Sequence, residues 1–560
     1  MRNRRYKPIC VILTVFCLVA LVLPCSAASE KREELSKEAI LASLWEADIL
    51  QIKEAYAQGF ITCSELTEYY VERIAQYNES YNCFVVLCDD ALEQAALADE
   101  ELATGDSEKL LLGIPIVVKD NMDYVGYRTT NGYEKQGSKT AKSNAKVLEY
   151  LLQEGAIVIG KTNMSAGAMD HRTSFSYSVG HTKNAYNPFL SPAGSSGGSA
   201  AAVCLNFAVA GLGTDTNSSL RLPAAFNGCV SLRVTTKLLP MTGIRKCDSG
   251  KDVPGVITRS VMDQAILLDV MSGGTTQYAE NLNSEVLSGL KLGVLKELSG
   301  AYLNGRNEKN IDTEILTAFH NSIDELRECG AEIVEVSIPN VFSLSRATYQ
   351  EGAAISKMYA KVEKAVTDAQ VDALIFPSYL STPLRLGRDE NGIYWNPAKQ
   401  TMINNTSKFS SCAGLPEISV PIGQHSLGAG IGLEIAALRN QEQLLLDLAY
   451  AYMLRYDHRA APENAPDLYA QYYEGNVYQL MEKLNAVPEE TEALLEEKPD
   501  IQPPQTEPVS ATDPVQEGQA DKPSNRQMMW VLTGGIVVVF MAVSSIFVLI
   551  QRKKRKEGSV

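Results

Sequence analysis

The side chains of this chain that could do chemistry are concentrated in two serine-rich loops and one lysine. Residues 191–202 form a dense run of small residues with adjacent serines at Ser195 and Ser196. A second such loop carries Ser219, and Lys119 follows an apolar run upstream. Small residues let a backbone turn sharply and approach another group closely. Both loops are therefore typical of a site in which a serine acts as a nucleophile. No histidine accompanies them, so another residue must act as the base.

Three kinds of site use loops of this composition. The run Gly194-Ser195-Ser196-Gly197-Gly198 matches the G-x-S-x-G pattern of a nucleophile elbow, which should follow a buried strand directly. Residues 187–192 do not have a strand pattern. A glycine-rich phosphate loop is the second kind, but its pattern with a lysine is absent. The third is acyl transfer by a serine and a lysine acting together, which the residues favour.

Alternating helix and strand patterns surround these loops. The predicted strands are 84–87, 111–118, 156–160, 292–295, 332–336, 373–376 and 417–420, and the predicted helices are two within 36–80, then 91–102, 146–155 and 444–454. We expect Gly59 to separate the first two helices and Ser64 to cap the second. This alternation predicts an α/β domain with helices packed against a central sheet.

Several motifs, taken in order, resemble those of the amidase signature family, serine hydrolases that use a Ser–cis-Ser–Lys triad. The matching segments are 113–121, 160–164, 194–199, 213–221, 258–261, 267–270, 414–416 and 420–423. The resemblance covers about residues 36–460. It implies an amidase signature domain over residues 36–485, with a large central mixed β-sheet flanked by helices, and it implies no metal and no cofactor.

By the same resemblance, Lys119 is the general base, Ser195 is the bridging serine on a cis peptide bond, and Ser219 is the nucleophile. A lysine normally titrates near ~10.4 and is a poor base at neutral pH, but burial disfavours its charged form and lowers its pKa. The buried strand before Lys119 can supply that environment. The implied oxyanion hole consists of the backbone N–H groups of Thr216, Asn217, Ser218 and Ser219, and the supporting residues are Ser196, Thr214, Asp215 and Arg221.

The chain departs from the family pattern close to the nucleophile. Asn217 and Ser218 stand where the family has two glycines, and Ala193 replaces another. Residues 231–235, Ser-Leu-Arg-Val-Thr, replace the usual Gly-Leu-Lys-Pro-Thr. Because asparagine and serine adopt positive φ less readily than glycine, we expect the oxyanion hole to be reshaped or narrowed. The substrate pocket is expected in residues 283–400, the part that matches the family least.

Both ends of the chain join basic residues to an apolar run. Residues 1–28 follow the plan of a signal peptide, and an N-terminal anchor or lipidation at Cys25 are the alternatives. Residues 528–550 carry no charge and are long enough to cross a bilayer of ~30 Å, and a buried core helix is the alternative. The basic tail 551–560 favours the cytoplasmic side, and residues 486–527 form a Pro/Glu-rich stalk. We therefore expect a single-pass membrane protein of a Gram-positive-like bacterium with its catalytic domain outside the cell.

Composition excludes some classes of function. With 45% hydrophobic residues, the chain can bury a large core and is not wholly disordered. A formal charge of −16 argues against a general nucleic-acid binder. Eight cysteines lie outside the first 28 residues, and we expect most to be free thiols because they are sparse. No Cys/His spacing resembles a zinc site.

Together these features predict a membrane-tethered extracellular amidase that hydrolyses a carboxamide through an acyl-enzyme on Ser219. The expected partners are a small-molecule or peptide amide substrate and the membrane, without nucleic acid. One alternative is a catalytically impaired binding protein that keeps the fold. Another is a protein like the A subunit of the amidotransferase that amidates glutamyl-tRNA, a role that needs cytosolic tRNA, ATP and partner subunits. The apparent signal peptide argues against this second alternative.

Overall fold

A computed structural model describes residues 35–485 apart from 106, 135–139, 301–310, 342–351, 389–395, 397–398 and 406–408. Its strands are β1 (Phe84–Leu87), β2 (Pro115–Lys119), β3 (Ile157–Thr162), β4 (Phe175–Ser176), β5 (Gly180–His181), β6 (Ala210–Asp215), β7 (Val230–Arg233), β8 (Val253–Thr258), β9 (Lys291–Leu295), β10 (Glu332–Val336), β11 (Ala373–Pro377), β12 (Glu417–Gln424) and β13 (Gly430–Ala436). Its helices are α1 (Lys37–Ser43), α2 (Ile49–Ala57), α3 (Cys63–Tyr81), α4 (Ala91–Ala103), α5 (Lys146–Gln153), α6 (Gly197–Cys204), α7 (Arg221–Phe226), α8 (Val261–Met271), α9 (Thr313–Glu328), α10 (Gly352–Ala369), α11 (Ser410–Ala413), α12 (Glu442–Arg455) and α13 (Val477–Asn485).

Eleven of the strands form one mixed sheet, as the sequence predicts. Their order is β1-β3-β2-β6-β8-β7-β12-β13-β11-β9-β10. The neighbours β3, β2 and β6 run parallel, and β8, β7, β12 and β13 continue the sheet antiparallel. Every residue of β2, β3, β6 and β8 is buried, because helices cover both faces of this central part. The carboxyl ends of β2 and β6 therefore meet at one edge inside the molecule.

Most predicted elements lie where expected, with three corrections near the N-terminus. The helix predicted before Gly59 is two helices, α1 and α2, and the side chain of Asp48 caps the second of them. Thr62, not Ser64, caps α3: its hydroxyl accepts the N–H of Glu65, whose carboxylate accepts the N–H of Thr62. Ser64 instead donates to Asp99. The strand predicted from residue 111 begins only at Pro115, because residues 111–114 form a turn that includes Gly113 at φ +77°.

The sequence patterns did not predict β6, although this strand is central to the sheet. Its residues, Ala-Gly-Leu-Gly-Thr-Asp, have a low intrinsic preference for strand. Burial between β2 and β8 overrides that preference. The glycines also allow close approach, because a Cβ added at Gly213 would lie 2.8 Å from the Ser196 hydroxyl oxygen. Small residues here let a loop pack directly against the strand.

Within the described ranges, no helix combines the length and apolar character needed to cross a membrane. The predicted signal peptide (1–28), stalk (486–527), membrane helix (528–550) and basic tail (551–560) lie outside the described residues. All eight cysteines after residue 28 are free thiols, and six of them are buried. The expectation of mostly free cysteines therefore agrees with the structure.

Candidate active site

Lys119 ends β2 and extends toward the adjacent strand β6. Its ammonium nitrogen Nζ lies 2.7 Å from the hydroxyl of Ser195, 2.8 Å from that of Ser196 and 2.9 Å from that of Thr214. Lys119, Ser195 and Ser196 are fully buried. The amide of Asn121 also donates to the Thr214 hydroxyl, at 3.0 Å. The lysine is therefore surrounded by neutral hydroxyl groups.

This environment changes the chemistry of the lysine. Burial lowers the pKa of Lys119 to about 7, although the negative charge of Asp215 acts in the opposite direction. Desolvation disfavours an ammonium that no carboxylate of the described residues touches directly. At neutral pH a substantial fraction of Lys119 is then the free amine. A neutral amine within hydrogen-bond distance of a hydroxyl can act as a general base.

The loop that carries Ser195 and Ser196 has two unusual backbone features. The Gly194–Ser195 peptide bond is cis, as the family resemblance implies, and Ala193 has φ +61°. The hydroxyl of Ser174 lies 3.0 Å from the Ala193 carbonyl oxygen and 2.9 Å from the Gly197 amide nitrogen. This hydroxyl thus donates on one side and accepts on the other. These two hydrogen bonds hold the loop in place up to the first residue of α6.

Ser219 lies in the loop that follows β6. Its carbonyl oxygen accepts the backbone N–H of Ser196 at 3.2 Å, which joins the two serine-rich loops. The structure therefore brings Lys119 into direct contact with Ser195 and places the Ser219 loop beside Ser196. Among the described residues, no hydrogen bond joins the hydroxyls of Ser195 and Ser219. The Ser219 side chain is nearly buried, with 4% of the residue exposed.

The backbone N–H groups of residues 216–219 make no hydrogen bond to any described residue, so they are available to an oxyanion. Neither Asn217 nor Ser218 has a positive φ, so the replacement of two glycines does not strain the backbone of this loop. That the oxyanion hole is reshaped or narrowed stays a prediction. The Ser218 hydroxyl accepts the amide of Asn404 at 3.0 Å. The Asn217 carbonyl accepts Nη2 of Arg221 at 2.8 Å. The loop is held from both sides.

A buried cluster of charges supports the loop from below. Asp215 pairs with Arg221 at 3.1 Å and with Arg233 at 2.9 Å, and Arg221 also pairs with Glu417. Burial raises the pKa of Asp215, but the two guanidinium groups outweigh burial and hold that pKa below its usual range. Burial, together with the neighbouring Glu417, raises the pKa of Glu434 well above its usual value. The surroundings of Asp215 therefore favour its charged form, and those of Glu434 favour its protonated form.

Sequence reasoning missed Asn404, Arg233, Glu417 and Glu434 as supporting residues. Residues 231–235 depart from the family pattern, but nothing in that run identifies the partner of Arg233. The two glutamates lie inside apolar strands, β12 and β13, where an acidic residue must be paired. That pattern was a readable signal, although it does not identify the partner. Nothing in the sequence links Asn404 to Ser218.

A cavity of about 990 Å³ opens beside residues 216–219. We call these residues the oxyanion loop, after the role that the family resemblance implies for their N–H groups. Its lining includes Met169, Thr216, Asn217, Cys247, Lys251 and Arg439. The sulfur atoms of Cys247 and Met169 lie 3.6 Å apart. Half of the described lining residues lie in the range 236–251, and residues 355 and 356 lie in the range 283–400. The expectation that residues 283–400 shape the substrate pocket stays a prediction, because several parts of that range lie outside the described residues.

One group of side chains outside the triad has the atom types of a metal site. It consists of Asp312, Glu314 and His425. The imidazole Nε2 lies 3.0 Å from the Asp312 carboxylate, and Nδ1 accepts the N–H of Leu427 at 3.0 Å. Both ring nitrogens are thus engaged within the protein, and the group joins the turn after β12 to the start of α9. Lys119, Ser195 and Ser219 include no histidine, cysteine or carboxylate, so they do not form a metal site of this kind.

Comparison with known proteins agrees with this geometry. The model of the Amidase family matches residues 65–366 and 343–446. The A subunit of glutamyl-tRNA(Gln) amidotransferase from Thermosynechococcus vestitus is 31% identical over 470 residues, covering 70% of this chain and 94% of the relative. The corresponding protein of Alkaliphilus metalliredigens is 34% identical over 307 residues, which cover 52% of this chain and 60% of the relative. The native peptide amidase of Stenotrophomonas maltophilia superposes with a TM-score of 0.63 at 25% identity, covering 75% of this chain and 99% of that one.

Proposed function

The chain belongs to the amidase family, and as an amidase it hydrolyses carbon–nitrogen bonds; on that premise we propose that it cleaves a linear carboxamide through an acyl-enzyme formed on Ser219. The observation that carries this proposal is the contact between Lys119 and Ser195, 2.7 Å apart in a fully buried setting. A base with a pKa near neutrality, held against a serine hydroxyl, is what a histidine-free acyl transfer requires.

In the proposed first step the Ser219 oxygen attacks the amide carbonyl carbon. The Ser219 proton passes to the Ser195 oxygen as Ser195 gives its own proton to the neutral amine of Lys119. The carbonyl π electrons move to oxygen, and the backbone N–H groups of residues 216–219 stabilise the resulting anion. Because those donors are fixed by Asn404 and Arg221, they need little reorganisation when charge develops.

Collapse of this intermediate breaks the carbon–nitrogen bond. The leaving nitrogen takes a proton from Ser195, which is resupplied by the Lys119 ammonium, so that ammonia or an amine departs. Water then attacks the acyl-enzyme, and the same relay removes its proton and returns one to the Ser219 oxygen. The products are a carboxylic acid and free Ser219. All proton transfers use groups of this chain.

A serine-directed fluorophosphonate probe tests the catalytic assignment. We expect covalent labelling of the folded protein and its loss in Ser219→Ala. Ser288→Ala, which changes an exposed serine in the loop before β9, is the matched control and should keep its labelling. Failure of the folded wild type to react would contradict the proposal and favour a binding protein that keeps only the fold.

Two finer assignments share this chemistry. The match to A subunits of glutamyl-tRNA(Gln) amidotransferase extends over 94% of the length of one relative. It favours an equivalent role here, in which the chain supplies nitrogen for glutamyl-tRNA together with partner subunits. The apolar segments 9–23 and 528–550 with their basic flanks favour the membrane-tethered extracellular amidase. Both assignments predict release of ammonia from a small primary amide such as L-glutamine.

Location and partner dependence separate the two assignments. Protease added to intact cells should degrade the catalytic domain of a tethered extracellular amidase and leave an amidotransferase component untouched. Conversely, amidation of glutamyl-tRNA that requires this chain together with partner subunits would establish the amidotransferase role.

A further inference from the structure

The cavity beside the oxyanion loop has an excess of positive charge. Among the described lining residues, Lys237, Lys251 and Arg439 are cationic and Asp248 is acidic. The carboxylate of Asp248 also accepts the backbone N–H of Gly250 at 2.9 Å and is therefore partly engaged in its own loop. The protein as a whole has a net charge of −16, so this local excess is opposite in sign to the rest of the chain.

Lys251 is the most enclosed of the three cations. Only 1% of its surface is exposed, although the residue lines the cavity. Its Nζ lies 3.9 Å from the Asp248 carboxylate, a separation typical of a loose ion pair. Charges attract one another more strongly in an enclosed setting than in open water. An anionic group of a ligand in the cavity would therefore gain from the field of this ammonium.

Arg439 and Lys237 are fixed at the same cavity in different ways. The Arg439 guanidinium donates Nε and Nη2 to the Ala413 carbonyl and lies 4.1 Å from the ring centre of Tyr359. Its plane is thus set before any ligand binds, and a planar guanidinium suits a carboxylate. Lys237 has φ +79°, a conformation that is uncommon for residues other than glycine and that clusters at ligand sites.

The remaining acidic group near the cavity does not cancel this charge. Asp252 lies behind Thr216, whose hydroxyl donates to one carboxylate oxygen at 2.6 Å. The other oxygen accepts the N–H groups of Cys247 and Asp248 at 2.7 and 3.0 Å. Burial raises the pKa of Asp252, so its tendency to carry negative charge is reduced. Both carboxylate oxygens of Asp252 are therefore engaged in ordering the wall of the cavity.

We infer that the cavity takes an amide whose acyl part carries a carboxylate, with Lys251 and Arg439 as the specificity-determining residues. This inference rests on the proposed function, because the cavity shares Thr216 and Asn217 with the oxyanion loop. A monoamide of a small dicarboxylic acid fits the description. Its amide carbonyl lies at the oxyanion loop, and its carboxylate reaches the two cations.

The test compares three primary amides that differ only at the far end. Glutaramate ends in a carboxylate, valeramide ends in a methyl group, and 5-aminovaleramide ends in an ammonium group. Ammonia release gives kcat/KM for each. We expect glutaramate to exceed valeramide roughly tenfold or more, as for a hydrogen bond to a charged group, and 5-aminovaleramide to be the poorest substrate.

Variants then assign the preference to the named residues. Lys251→Met should reduce the glutaramate-to-valeramide ratio by roughly tenfold, and Lys251→Arg should restore most of it. Arg439→Gln tests the second cation independently in case Lys251→Met does not fold. Lys364→Met is the matched control on an exposed lysine of α10 and should keep the wild-type ratio.

The outcomes also separate this inference from the proposed function. Equal turnover of glutaramate and valeramide overturns the inference while the acyl-enzyme proposal stands. Fluorophosphonate labelling of Ser219 without preferential turnover of glutaramate also overturns the inference and leaves the acyl-enzyme proposal standing. Labelling with no turnover of any of the three amides has the same consequence. Absence of both labelling and turnover in folded protein overturns the proposed function itself.

Discussion

Replacing Lys119 by methionine is expected to abolish turnover and at the same time to remove a pH-dependent destabilisation of the folded protein. The substitution removes the proposed base, since methionine cannot accept a proton. It also removes a charge that burial makes unfavourable, because the pKa of Lys119 lies at about 7 in the fold against 10.5 in the unfolded chain. Methionine has a similar length and no charge to desolvate.

The size and sign of the effect follow from these two pKa values. Between pH 7 and 10.5 the unfolded chain binds more protons at this site than the folded protein, so the free energy of unfolding rises with pH in that window. The destabilisation is complete below pH 7 and amounts to on the order of 5 kcal/mol. Between pH 6 and pH 9, wild type should therefore gain roughly 3 kcal/mol relative to Lys119→Met.

Urea unfolding of both proteins at pH 6 and pH 9 measures this double difference. Other titrating groups are common to both proteins and cancel. The loss of hydrogen bonds to Ser195, Ser196 and Thr214 lowers the stability of the variant at both pH values and cancels in the same way. Lys364→Met, on an exposed lysine, should follow wild type. Parallel pH dependences of wild type and Lys119→Met would refute the reasoning, because Lys119 would then titrate near its ordinary pKa.

Three further predictions concern activity. The value of kcat/KM should fall about tenfold per pH unit below pH 7 and level off above it, because Lys119 must be neutral; a rise that continues to pH 10 would contradict this. Asn404→Ala should lower kcat about tenfold with a smaller change in KM, because the Ser218 hydroxyl loses its donor and the oxyanion loop loosens; steady-state kinetics on glutaramate or L-glutamine measures both. Iodoacetamide should react first with Cys247, which is exposed while six other thiols are buried, and the adduct should block the cavity; peptide mapping identifies the site, and Cys247→Ser should resist inactivation.

The residues of the proposed triad could be identified from the sequence because their signal is local. Short runs of glycine and serine next to Lys119, Ser195 and Ser219 have few other uses, and their order along the chain is specific. Strand β2 was predictable for a similar reason, since its residues are apolar and branched. The sequence also indicated a buried lysine before any contact was known.

Other parts of the site depend on contacts between distant residues. Strand β6 forms from weak strand formers because its neighbours bury it, and α6 is built from small residues that allow close packing. Asn404 reaches Ser218 across 186 positions, and Glu417 reaches Arg221 across 196. No local pattern encodes such pairs. The negative φ of Asn217 also could not be read from the family's glycines, since a glycine is compatible with either sign.

The residues of the proposed triad and its oxyanion loop all come from one stretch of chain, from the start of β2 at Pro115 to the end of the Ser219 loop at Leu220. Half of the described lining of the cavity lies in residues 236–251, which follow this stretch. Residues 168, 169, 216 and 217 of the lining belong to the stretch itself, and residues 355, 356 and 439 come from elsewhere. The loop that carries the proposed oxyanion donors is therefore also part of the cavity wall. An exchange of residues 236–251 between relatives would change half of that wall and leave residues 115–220 intact.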